Sequence, residues 1–193
     1  MDRARTRASN TLDFLAFMDE VVRPGTRAHL RSALPPEVVK GLLDCLPTDW
    51  QDVETVHGPY VTELVRWLGP EAAAGAWKRY SMERLESRPA YRALVQGAVR
   101  LFGLSLGSFV HLMPRIFLQG FRDCFEEARP IQVDARHAIL DLRLAPAVAR
   151  YPAYATLFHG LLQALPEMAQ AKGATLDWHA DLPARRLRAT FRW

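Results

Sequence analysis

The stretch AILDLRLAPAVARYPAYATLFHGLLQALPEMAQAKGATLDWHADLPARRLRATFRW, residues 138–193, decides the fold, because the period of its apolar residues changes twice. Leu140, Leu142 and Leu144 alternate with Asp141 and Arg143, the pattern of a half-buried strand. Tyr154, Leu157, Phe158, Leu161, Leu162, Leu165 and Met168 then recur at helical spacing. Gly160 allows close backbone approach on that helix, Pro166 is set to kink it and Gly173 ends it. From Thr175 the alternation returns as a hairpin turning near Leu182-Pro183. It puts Leu176, Trp178 and Ala180 on the same face as Leu187, Ala189, Phe191 and Trp193.

Upstream the reading is helical. Residues 1–10 are polar and unpatterned, a flexible basic tail carrying Arg3, Arg5 and Arg7. Phe14, Phe17, Met18 and Val21 follow at helical spacing until Pro24-Gly25, then helices are expected over 26–34 and 36–46, with Pro47-Thr48-Asp49 as a break. Further helices are expected over 56–68, from Pro70 through Trp77 and Tyr80, and from Pro89 to Gly103. Ser105 caps a long helix reaching to about Glu127, bent at Pro114, with an apolar stripe of Leu106, Phe109, Val110, Met113, Phe117, Phe121 and Cys124. The fold class is therefore α+β: an N-terminal helical layer packed on a small C-terminal antiparallel sheet, with one helix inserted between strands. Residues 11–193 form a single globular domain.

Composition excludes several function classes. At 193 residues and 49% hydrophobic the chain can bury its own core. A net charge of +4, from 25 basic and 21 acidic residues without a concentrated stripe, argues against nucleic acid as a partner. Cys45 and Cys124 lack CxxC spacing and read as reduced thiols. Asp13 and Asp19 break the first apolar run and no stretch reaches spanning length, so a cytoplasmic protein without a membrane span is expected.

Three motifs invite chemistry. Asp177, His179 and Asp181 share one strand face and resemble a metal ligand set, but a tight hairpin turn would set Asp177 opposite Arg188. Charge pairing on a solvated face is then the simpler reading, and no metal site is assigned. Gly103-Leu104-Ser105-Leu106-Gly107 matches GxSxG, yet a nucleophile elbow needs a strand before the serine, and here a helix precedes it. His111 lies on the long helix near aromatic residues, where an axial haem ligand could sit, but the helical wheel puts it off the apolar stripe, between Leu118 and Arg122. No catalytic residue is assigned.

The runs FLAFMDEVVRPG (14–25), LPTDW (46–50), RWLGPEAA (66–73), LFGLS (101–105), HGLL (159–162) and TFRW (190–193), with Gly173, resemble a myxobacterial paralogous family of about 200 residues with no assigned function. More remotely, helices followed by strand, helix and hairpin resemble the superfamily of haem-NO-binding domains, 4-vinyl-reductase-type small-molecule sensors and trafficking subunits with an acyl-chain channel. Haem-NO-binding domains carry a Tyr-x-Ser-x-Arg motif against the haem propionates. The comparable stretch here, Leu144 to Arg150, lacks it, and two isolated cysteines cannot reproduce the cysteine-rich zinc site of the vinyl-reductase type. The resemblance thus implies the architecture and an apolar pocket, with no cofactor.

The expectation is a non-catalytic sensory or regulatory domain that binds a small apolar ligand between helices and sheet, through Phe109, Met113, Phe117, Leu140, Phe158 and Trp178. The same six residues also suit a closed core. A second class stays open, an adaptor acting through its edge strands or Trp193, as a homodimer or with a regulatory protein partner.

Overall fold

The computed structural model describes residues 3–85 and 105–193. Arg5–Arg7 form β1, the central strand of a three-stranded antiparallel sheet between β2 (Trp50–Asp52) and β3 (Phe121–Arg122). The sequence reading of a flexible tail is corrected from residue 4 onward. Ala4 and Thr6 are buried, and the first free N–H groups of helix α1 (Ala8–Phe17) are satisfied from outside the helix: Ala8 N–H donates to Asp49 O and Ser9 N–H to Pro47 O. A three-residue strand followed at once by a helix leaves no periodicity to read.

A π-helical turn at Met18–Val22 leads to α2 (Thr26–Ala33) and α3 (Pro36–Leu43). A second π turn, Val53–His57, starts where Asp52 Oδ1 accepts from the N–H groups of Glu54 and Thr55, and it runs into α4 (Gly58–Leu68). Gly69, with φ +83°, separates α4 from α5 (Pro70–Tyr80), as the Gly-Pro pair required. The helix expected from Pro89 to Gly103 lies outside the described residues.

Helix α6 spans Leu106–Gly120 and contains Pro114. Ser105 caps it, its hydroxyl accepting from Ser108 N–H at 3.2 Å. The helix is shorter than the expected reach to Glu127. Phe121 turns extended to pair with β1 as β3, Asp123 takes a positive φ of 54°, and Phe125–Asp134 then forms β4, so Phe121 and Cys124 lie beyond the helix.

Strands β4, β5 (His137–Leu144), β6 (Thr175–Asp181) and β7 (Arg186–Arg192) make an antiparallel sheet in the order β4-β5-β7-β6. Between β5 and β6 come α7 (Pro146–Ala149), α8 (Ala153–Gln163) and α9 (Leu165–Met168). The chain is thus an α+β protein with helices packed on an antiparallel sheet and a helical segment inserted between strands. Pro130 is tolerated because β4 is an edge strand. Ala138, Leu140, Leu142, Leu144, Leu187, Ala189 and Phe191 form the sealed inner face. Trp178 pairs with Ala189, Leu176 with Phe191 and Ala180 with Leu187, while His179, and not Asp177, faces Arg188. The loop between β6 and β7 is four residues long, Leu182–Arg185, where a tight turn would have two, and this moves the register by one pair. Helices α5 and α8 meet at Gly160, where a Cβ would stand 2.4 Å from the carbonyl oxygen of Ala74.

Candidate functional site

Where β1, α1, α5, α6, α8 and α9 meet, the packing leaves a cavity of about 110 Å³. Helix α1 contributes Phe14, which stacks on Trp77 of α5 at 5.4 Å and meets the edge of Tyr80 at 5.2 Å. Helix α6 contributes Met113, Ile116 and Phe117, and Phe121 follows from β3. Leu157 and Leu161 of α8, with Leu165 and Met168 of α9, complete the apolar lining. The walls are mostly aromatic and aliphatic, an environment that stays dry and accepts apolar guests; an engineered cavity of roughly 150 Å³ holds benzene.

A few polar groups interrupt this lining. His57, at the last position of the second π turn, lines the cavity and is 4% exposed, with its Nδ1 2.6 Å from Tyr154 Oη. Burial pushes its pKa down to about 3, so the ring is neutral through the physiological range. Tyr60, one turn into α4, meets the His57 ring edge-on and also lines the cavity. Burial raises the pKa values of Tyr60 and Tyr154, holding both phenols protonated. Thr6 of β1 is buried against the cavity with a hydroxyl that has no hydrogen-bond partner among the described residues. Two of the π turns, Val53–His57 and Ser81–Leu85, deliver cavity residues, His57 and Ser81. Such turns gather at functional sites because the wider coil re-aims a side chain.

Of the six residues assigned from sequence, Met113 and Phe117 line this cavity. Phe109, Leu140 and Phe158 are core residues that the cavity does not reach, although the Phe158 ring lies 5.5 Å from that of Phe117. Trp178 stacks on His159 at 5.3 Å, away from the cavity. Sequence reasoning missed Thr6, His57 and Tyr60. The signal for His57 was local, a capping Asp52 followed by His-Gly-Pro, and Thr6 had none because its strand is too short to show alternation.

All six histidines and both cysteines are among the described residues. His29 contacts the Glu63 carboxylate at 2.8 Å, His111 is exposed on α6, His137 opens β5, His159 stacks on Trp178 and His179 is exposed on the outer sheet face. Only His57 lines the cavity. Burial pushes the Cys124 thiol up to about 12, which keeps it protonated. Among the described residues no group of three His, Cys, Asp or Glu is placed to hold a metal ion, and no helix is long and apolar enough to cross a membrane.

No protein-family model matches the chain, and no curated protein matches it. Solved structures do match along nearly its whole length. An H-NOX protein from S. oneidensis in the Fe(II)NO ligation state is 12% identical, with 95% of this chain and 97% of that one covered and a TM-score of 0.60. An Fe(II) unliganded H-NOX protein from K. algicida is 8% identical, covering 96% and 95%, with a TM-score of 0.61. An oxygen-binding H-NOX domain related to soluble guanylate cyclases is 14% identical, covering 96% and 94%, with a TM-score of 0.59. Across this sequence distance, what the chain shares with the haem-NO-binding domains is their fold.

Proposed function

We propose that the chain is a single-domain, non-catalytic sensor whose ligand is a small apolar molecule held in the cavity between β1, α5, α6 and α8. The observation that carries this reading is an aromatic-walled, partly open pocket cut into an otherwise close-packed core. Met113 and Phe117 would line the ligand from α6, and Phe14 and Trp77 from the opposite wall.

The H-NOX neighbours named above include oxygen-bound and Fe(II)NO forms, and the residues here do not fit their haem. An axial ligand has to face a slot that admits a porphyrin. The cavity of about 110 Å³ is well below the roughly 300–1,000 Å³ of pockets for larger ligands, and a porphyrin needs more room than it offers. The sensory role is therefore carried over without the haem, and no step is routed through it.

The test is a benzene titration followed at the methyl resonance of Met168, which also lines the cavity. The expected result is a saturable shift in the wild type and none in Met113→Trp, whose larger side chain fills the space. Absence of a shift in wild-type protein at benzene saturation in water would overturn the proposal, as would a stoichiometric Soret band on adding haemin.

An adaptor role has one observation in its favour. Ile131 and Val133, on edge strand β4, are 41% and 51% exposed beside a bulge at Gln132–Asp134. Such an edge can pair with a second chain or a regulatory partner.

A further inference from the structure

We infer that the β1 end of the cavity takes a small neutral molecule by a hydrogen-bond acceptor, with Thr6 and His57 supplying the donors. This deepens, and rests on, the reading of the cavity as a ligand site. Thr6 is 2% exposed, lines the cavity, and carries a hydroxyl without a partner among the described residues. Buried hydroxyls in native proteins are nearly always paired, so an orphan at the wall of a void points to a group that arrives with a ligand. Strand formation does not explain the residue, since valine would serve β1 equally well.

His57 completes the donor pair. Its Nδ1 lies 2.6 Å from Tyr154 Oη, and the protonated phenol has no other acceptor among the described residues. Tyr154 therefore donates to Nδ1, which leaves the ring proton on Nε2 as the group His57 offers. Tyr154 is in this sense a positioning residue that fixes a tautomer. Thr6 pairs across the sheet with Gln51, and the chain runs from there through Asp52 into the π turn that ends at His57 and packs on β1, so both donors belong to one end of the cavity. Arg7 is the one described lining residue that carries a charge, and its guanidinium lies 5.4 Å from the centre of the Trp50 ring. With the imidazole neutral, the site offers donors without a buried cation. A molecule the size of one six-membered ring, bearing a ring nitrogen, a carbonyl or an ether oxygen, matches this volume and polarity.

The full chain should be titrated at pH 8 with benzene, pyridine, pyrrole and benzoate, read by ligand-observed NMR. Pyridine and benzene have the same shape, but only pyridine has an acceptor nitrogen. In Thr6→Val, pyridine affinity should fall about tenfold while benzene affinity holds, and the ligand-free variant should melt higher than wild type because an unpaired hydroxyl is gone. Tyr154→Phe frees Nδ1 to carry the proton, so pyrrole, a donor, should gain on pyridine, a preference that loosened packing alone would not move. The inference is overturned if benzene binds but pyridine is unaffected by Thr6→Val, if that variant melts lower, or if benzoate binds in preference to all of them through Arg7. Failure of benzene itself to bind would overturn the ligand-site reading beneath it.

Discussion

The Asp141 network of the sheet and the β1 end of the cavity treat their buried polar groups in opposite ways. On the outer sheet face Asp141 is 7% exposed and its carboxylate is fully engaged. Arg186 Nε donates to Oδ1 at 2.7 Å, Arg186 Nη2 donates to Oδ2, and Arg188 Nη2 donates to Oδ2 at 3.1 Å. On the β1 side the Thr6 hydroxyl is unpaired and His57 is held neutral beside a void. A satisfied network has nothing left to offer a ligand, whereas an unsatisfied one is stable only because the surrounding core holds it in place. The sheet side is therefore read as scaffold and the β1 side as site.

The largest effect should come from opening the scaffold. Phe191 is fully buried, pairs with Ala138 and Leu176, and belongs to the sealed inner face. Phe191→Ala should destabilise by about 3–5 kcal/mol in urea denaturation, a large share of a domain's total stability. A loss below about 1 kcal/mol would mean that the sheet side is no better packed than the cavity side, and the contrast would collapse.

That contrast also explains what the sequence could and could not say. The inner face of the hairpin and the close approach at Gly160 were legible because a strand pairs side chains at a fixed period and a glycine at a helix crossing has one evident use. The register was misjudged by one pair because the length of the Leu182–Arg185 loop is set by local turn geometry, which apolar spacing does not encode. The end of α6 was misjudged because Phe121 and Cys124 keep helical spacing in the sequence, while the backbone leaves the helix to pair with β1, a tertiary effect. The candidate site was the least legible part. Met113 and Phe117 follow from the helical stripe, but a void is a failure of packing among elements far apart in the chain, and no periodicity reports it.

A pH titration separates the two sides at intermediate cost. The folded-state pKa of His57 is depressed to about 3 from 6.5, so below about pH 6.5 the unfolded chain binds a proton that the folded chain refuses. Stability should fall with acidification from that point by about 1.4 kcal/mol per pH unit, or about 2 kcal/mol between pH 6.5 and 5. His159, also lowered by burial, adds in the same direction. His57→Phe should be less stable at neutral pH, having lost its bond to Tyr154, and should show a shallower slope. A wild-type melting temperature that stays flat from pH 7 to 5 would contradict the burial of a neutral imidazole.

The smallest effect is expected at Asp141, and its pH window is different. Hydrogen bonds from Arg186, followed by those from Arg188, hold the Asp141 carboxyl below the usual carboxylate range. A depressed carboxyl contributes stability that is fully present above its unfolded pKa and disappears as pH falls through the folded value, so this contribution is untouched between pH 7 and 5, where that of His57 is already being lost. Both arginines are about half exposed, and solvent screens the pair, which limits the loss in Asp141→Asn to about 1 kcal/mol at pH 7. The variant should leave benzene binding at the cavity unchanged, because the sheet's inner face separates the two sites. If Asp141→Asn instead altered the pH 7 to 5 slope or the benzene titration, the charge network and the cavity would be coupled across the sheet, and the division of the molecule into scaffold and site would have to be redrawn around β5.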